Sequence, residues 1–333
     1  MSTATLPASQ RVQTRHRLRL ADLAPWAACA LAWLLFPNYL QLGSQVMIMV
    51  AFALSLDLLL GYAGVVTLGH AAFFGIGAYT AGILSVRFGV TDPLAGLALG
   101  ALAAGVAGLA CGLLVLRTTG LTLLMLTLGI LLMLSEAANR AAWLTGGADG
   151  LQGVVVGRLL GIFEWDLYGR TAFVYSAAVA LAAFVLLRVV VMSPMGRSLV
   201  GIRENAVRLE ALGAPVRARL VVAYGLAALI AGMAGAVNAQ VNQFVGLNVL
   251  SFELSGAVLI MLILGGTGRL YGAFVGTPIY MIAADAFSRL DPTYWLLWIG
   301  VMLIALVMFA RGGVLGWLDA VARRIRARRG GQP

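Results

Sequence analysis

The chain contains no lysine: all 23 of its basic residues are arginine. A Walker A motif is therefore excluded, because its phosphate-reaching lysine is missing, and so is a lysine Schiff base. Any ATP this protein uses is hydrolysed on another chain. Charge is scarce as well, at 11% of residues against about 25% in soluble domains. The two cysteines, Cys29 and Cys111, lie in separate apolar runs without a C-x-x-C partner. They read as small core hydrophobes and give neither a disulfide framework nor a metal pair. Only two histidines, His16 and His70, are present, so the clustered His, Cys, Asp or Glu of a membrane enzyme or metal site is lacking.

Apolar residues fill the gap, at 61% of 333 residues and a mean hydropathy of +0.95. Soluble domains run at about 45–50% apolar, so most of this chain faces lipid. Glycine is also high, at 41 residues, against a usual share of about 7%. In a membrane that excess marks close helix packing. The expectation is an all-α polytopic membrane protein of about ten spans. They fall near 20–41, 45–61, 68–86, 93–116, 119–138, 171–191, 218–240, 250–265, 271–288 and 293–310, each near the length that crosses the hydrocarbon core. The 68–86 segment is the weakest of these, because its glycines and His70 suggest a re-entrant part. The basic start and the run to Leu40 read as a retained first span, with no clear cleavage site after it.

The net charge of +10 reflects orientation and not nucleic-acid binding. Alternating spans place 17 arginines on the side of the termini and 5 on the other, with Arg188 near the end of its span. Both termini are therefore expected in the cytoplasm. The chain divides into a basic tail (1–19), a transmembrane domain (20–311) and a second basic tail (312–333). Within the domain stand an outer loop (139–170) and an inner loop (192–217). Glycines repeating every four residues at Gly96/Gly100, Gly108/Gly112 and Gly268/Gly272/Gly276 form packing faces.

The inner loop is the most informative segment. Ser193-Pro194 is a helix start and Gly213 with Pro215 a stop. Between them Leu199, Ile202, Ala206 and Leu209 form one apolar stripe, with Arg203, Glu204, Arg208 and Glu210 off it. A short amphipathic helix follows, either lying in the headgroups or inserted in a groove of a partner protein. Inside the spans, polar residues are costly and usually face a cavity or a partner. Asp57, His70 and Asn238 stand out, with Gln240, Asn242 and Gln243 beyond the last. Gly61, Gly64, Gly69, Gly75 and Gly77 suggest a broken or close-packed helix. For His70 two readings stand: a bond to a backbone carbonyl released by the glycine-rich break, or a pathway or gate residue. Glu136 and Asp285 lie near outer ends.

The stretch GRSLVGIRENAVRLEALG (Gly196–Gly213) resembles the cytoplasmic coupling segment of ABC importer permeases of the LivM/LivH branched-chain amino acid type. GYAGVVTLGHAAFFGIGAYTAGIL (Gly61–Leu84), LTGGADGL (Leu144–Leu151) and SFELSGAVLIMLILGGTGRLYGAFVG (Ser251–Gly276) are similar to three further segments of that family. Departures are Thr67 for the usual serine, Thr277-Pro278 after Gly276, and Ala310-Arg311 without the common proline. The resemblance implies one half of a membrane heterodimer with a second LivH-like permease. It also implies two cytoplasmic ATPase subunits, a periplasmic binding protein and an inner-membrane location. The cofactors ATP and Mg would belong to the ATPase partner, with none held by this chain. It further implies ATPase coupling through Gly196, Leu199, Ile202, Arg203, Glu204, Asn205, Leu209 and Gly213. Asp57, Gly61, Gly64, Gly69, His70, Gly75 and Asn238 are candidates for the translocation path. Branched-chain amino acids lead as cargo, ahead of other amino acids, urea or short amides. The rival from a different class is a secondary transporter without an ATPase.

Overall fold

A computed structural model describes residues 39–158, 165, 169–309 and 313–316. The two basic tails and nearly all of the expected first span lie outside the described residues. What is described is all-helical, apart from an isolated bridge between Leu151 and Val245.

Helix α1 (Leu40–Asp57) runs into a π-helical turn, Leu58–Ala63, and then an irregular stretch to His70. α2 (Ala71–Phe88) and α3 (Pro93–Val115) form a hairpin, and α4 (Leu121–Arg140) leads into the outer loop. α5 (Arg170–Met192), α6 (Pro194–Ala211) and α7 (Val216–Asn242) follow, then α8 (Phe252–Gly265), α9 (Gly272–Leu290) and α10 (Trp295–Phe309). Local chemistry sets these limits. Asp92 accepts from the Leu94 N–H at 3.1 Å ahead of Pro93, and Ser251 accepts from the Leu254 N–H at 3.1 Å. Each caps a helix N-terminus whose first amides have no partner within the helix.

Among the described residues six helices are long and apolar enough to cross a membrane: α1 with its π turn, α2, α3, α4, α5 and α7. Two more apolar helices, Phe252–Gly265 and Trp295–Ile304, are shorter. The expected count of about ten is not confirmed among the described residues, which exclude nearly all of the first expected span. α8 has only 14 residues, and α9 carries Asp285 and Arg289 in its last turns. The start of α1 also takes Leu40 and Gln41 out of the expected first span.

The core is built from α1, α2, α3 and α7. For α1 with its π turn, 89% of the apolar window is buried within the chain, against 17% for α4. Small residues let the backbones approach, as expected where lipid offers no hydrophobic drive. A methyl group at Gly100 would stand 2.9 Å from the Gly77 carbonyl and 3.0 Å from Ala236 Cβ, and one at Gly112 would stand 3.3 Å from Tyr224 Cβ. The spacing-derived glycine faces of α3 are therefore the packing faces, turned toward α2 and α7. Gly272 and Gly276 likewise meet α8 and the turn that follows it. The outward faces of α3, α4 and α5 carry Leu102, Val106, Leu132, Met133, Val185 and Val189, all exposed.

The break expected within 68–86 straddles its start: residues 68–70 are irregular and the rest is helix. α2 is continuous from Ala71, and the irregular backbone is 64–70. Gly75 and Gly77 sit in regular helix against Leu250 and Gly232. They serve close packing and interrupt nothing.

Candidate coupling site

The last turns of a helix leave carbonyls without intrahelical donors. At the end of α1 the π turn closes with Gly64 in the left-handed region (φ +74°), and the Val65 N–H returns to the Leu59 carbonyl at 2.9 Å. The Gly61 carbonyl is instead met by the Arg203 guanidinium, which reaches it from α6. A cation at a helix C-terminus also complements the helix dipole.

Two glycines make this approach possible. A methyl group at Gly64 would stand 2.6 Å from Arg203 Cγ and 3.4 Å from its Cα, so the arginine stem crosses where a side chain would otherwise be. A methyl group at Gly61 would meet the Gly268 Cα at 2.7 Å. The turn between α8 and α9 therefore lies directly on the π turn. Asp57 completes the joint: its Oδ1 accepts from the Gly268 N–H at 2.7 Å, while its Oδ2 is buried and has no hydrogen-bond partner.

α6 itself is bent. Leu199 and Ile202 are buried, as the apolar stripe requires, but Asn205 leaves the helix with extended backbone (φ −162°, ψ 95°). Its Oδ1 accepts from the Arg208 N–H at 2.9 Å, capping a second short segment. Leu209 folds back toward Gly201, where a methyl group would touch its Cδ1 at 3.0 Å. A single straight amphipathic helix was the expectation; the Asn205 side chain competes with the helical backbone and bends it. Ser193 caps the start, accepting from the Gly196 N–H at 3.4 Å. Arg203, Glu204, Asn205, Arg208, Glu210, Leu212 and Gly213 are exposed, as is Val207.

The irregular stretch after the π turn is held by hydroxyls from three helices. Thr127 Oγ1 of α4 accepts from the Leu68 N–H at 3.3 Å, and Ser255 Oγ of α8 accepts from the Ala71 N–H at 3.0 Å. Gly69 lies against the Thr127 backbone. Ser55 Oγ of α1 lies 2.6 Å from the Phe52 carbonyl and shares a 2.7 Å hydrogen bond with His70 Nε2. His70 Nδ1 is buried without a hydrogen-bond partner, and the ring stacks on Phe52 at 5.4 Å. The His70 partner is thus a hydroxyl, not the backbone carbonyl of the first of its two sequence readings.

On the far side of Gly64 opens a crevice of about 400 Å³. Its walls are Gly64, Val65, Val66, Leu116, Leu124 and Leu220, with Thr118 and Thr119 at the α3–α4 turn. One residue, Gly64, therefore touches both the arginine stem and the crevice.

Asn238 belongs elsewhere. It is buried near the opposite end of α7, where its Oδ1 accepts from Asn242 at 3.0 Å and Asn242 in turn accepts from Gln45 at 2.6 Å. Gln240, singled out from sequence beyond Asn238, is buried: it donates to the Pro93 carbonyl at 2.8 Å and accepts from the Tyr175 hydroxyl at 2.7 Å. Glu136 and Asp285 each pair with an arginine one turn on, Arg140 at 2.6 Å and Arg289 at 3.0 Å. Among the described residues no group of three or more His, Cys, Asp or Glu could hold a metal.

Sequence reasoning missed the Gly266–Gly268 turn and Ser55 as parts of this arrangement. The glycine-rich GGTG run was a visible signal for the first; nothing local marked the second.

Residues 38–310 match the family described as branched-chain amino acid transport system / permease component. The chain belongs to this permease family. It is 27% identical over 339 residues to the high-affinity branched-chain amino acid transport system permease protein LivM of Salmonella typhimurium, covering 93% of this chain and 77% of that protein. The LivM protein of Escherichia coli is 27% identical over 338 residues, with the same coverage. No solved structure matches. With this membership and its apolar helices, the chain is a multi-pass membrane transport subunit and not an enzyme.

Proposed function

We propose that this chain forms half of the membrane path of an ATP-driven importer for branched-chain amino acids in the inner membrane. A second, LivH-like permease supplies the other half, a periplasmic binding protein delivers the cargo, and two cytoplasmic ATPase subunits hydrolyse ATP. The observation that carries this reading is α6: a helix at one end of the bundle that buries Leu199 and Ile202 while exposing Val207, Leu212, Glu204 and Glu210. Apolar groups displayed beside charges on a helix held between two spans suit a groove on a partner. Without lysine the chain has no Walker A loop of its own, which fits hydrolysis on a separate subunit.

Mechanistically, the ATPase subunits grip the Val207–Gly213 segment, and their closure displaces α6. Bends and glycine contacts near the π turn then change the packing of 61–70 against α4 and α8, opening or closing the path between the two permeases. The test is reconstitution of the native complex in vesicles with ATP inside the appropriate compartment. ATP-dependent uptake of radiolabelled leucine, isoleucine or valine supports the reading. Uptake driven by an ion gradient without co-purifying ATPases contradicts it, and uptake of urea or short amides alone corrects the cargo.

A further inference from the structure

We propose that Arg203 is not part of the ATPase-docking surface but the pin that carries α6 displacement into the transport core. The proposal deepens the docking reading above and rests on it. Four observations converge on this side chain. Its guanidinium donates to the Gly61 carbonyl, a group that the π turn leaves without a helical partner. Its stem fills the place of a Gly64 side chain. A methyl group at Gly268 would stand 3.2 Å from its guanidinium, so the α8–α9 turn touches the same cation. Asp57, held by the Gly268 N–H, presents a buried carboxylate oxygen to the joint.

Arg203 is therefore the place where α6, the end of α1 and the α8–α9 turn meet. Arg203 is itself exposed, yet its guanidinium is engaged at the Gly61 carbonyl; Ile202 beside it is buried, and Glu204, Val207, Glu210 and Leu212 are exposed and available to a partner. The same contact reaches the 400 Å³ crevice, because Gly64 forms one of its walls. A shift of α6 that pulls the arginine stem displaces that wall and draws on the π turn. Arginine suits the role because its planar guanidinium is always charged and offers several donors in fixed geometry. Loss of one charge-assisted hydrogen bond changes an equilibrium by roughly tenfold or more. This sets the scale of the expected effect.

The test uses the assembled complex in vesicles with Arg203→Met, Arg203→Lys and the surface variant Leu212→Asp. Arg203→Met should keep the ATPase subunits bound and yet lower cargo moved per ATP hydrolysed by about tenfold. Arg203→Lys, which keeps the charge and a donor, should recover part of that ratio. Leu212→Asp should release the ATPase subunits. The pin is refuted if Arg203→Met moves cargo at the native ratio, or if it sheds the ATPases as Leu212→Asp does. Failure of the docking reading is distinguishable, because the native complex would then carry no ATPases; the pin falls with it. Should Arg203→Met not reach the membrane, Gly64→Ala provides the second variant. It keeps the guanidinium but obstructs its stem, and should lower the same ratio; a native ratio there overturns the pin.

Discussion

The two ends of helix α7 handle buried polar groups in opposite ways. At the end away from α6, Gln240 makes two good hydrogen bonds, to Pro93 of α3 and Tyr175 of α5. Asn238, Asn242 and Gln45 form a relay linking α7 to α1. At the α6 end the helix before 64–70 is broken, and Asp57 Oδ2 and His70 Nδ1 are buried without partners. A fully satisfied network fixes one arrangement, whereas an unpartnered buried group costs free energy that another arrangement can recover. On the proposed mechanism the first end is a clamp and the second a joint. A permease needs both, since a moving part transmits motion only against a fixed one.

The contrast predicts a graded series of effects. The largest falls on the glycine packing that both ends share. A methyl group at Gly235 would lie 3.0 Å from the Ala78 amide and press on the Phe74 backbone, so Gly235→Leu should abolish recovery of monodisperse protein in detergent chromatography. Gly129→Leu, placed where nothing lies within 4 Å, should leave recovery unchanged. If both behave alike, close backbone approach does not organise the core.

Next comes the clamp. Gln240→Ala removes bonds worth about 0.6 kcal/mol each in membranes, with an upper range near 1.7, and leaves the Tyr175 hydroxyl without its acceptor. The expected result is a thermal midpoint in detergent lower by a few degrees, with cargo moved per ATP preserved at permissive temperature. A changed transport ratio with unchanged melting would reverse the assignment of the two ends. Ser55→Ala, in the joint, should do the opposite. It deprives His70 of its one hydrogen-bond partner and should alter the transport ratio more than the melting midpoint. The smallest effect belongs to Glu136→Ala. This exposed pair with Arg140 should contribute almost nothing to stability, as surface ion pairs do, and thermal melting should not move.

Much of this organisation was readable from the residues alone. Hydrophobic runs located α3, α5 and α7 to within a few residues, and Ser193-Pro194 marked the start of α6. The glycine faces of α3 followed from a spacing of four. What eluded a sequence reading depends on contacts between distant segments. Arg203 lies off the apolar stripe, which reads as a docking charge, yet its partner Gly61 is 142 residues away in the chain. The Asp57 partner Gly268 is 211 residues away. Gln240 stands out in the sequence without a partner, because only the fold brings Tyr175 and Pro93 to it. The bend at Asn205 had a local signal, since asparagine favours caps over helix interiors, but the uninterrupted apolar stripe outweighed it.

The most direct test of clamp and joint is amide hydrogen exchange on the assembled complex, with and without a non-hydrolysable ATP analogue. Protection should change across 58–70 and the 266–268 turn, while 236–242 keeps its exchange rates in both states. Equal changes at the two ends of α7, or a change confined to 236–242, would contradict the account.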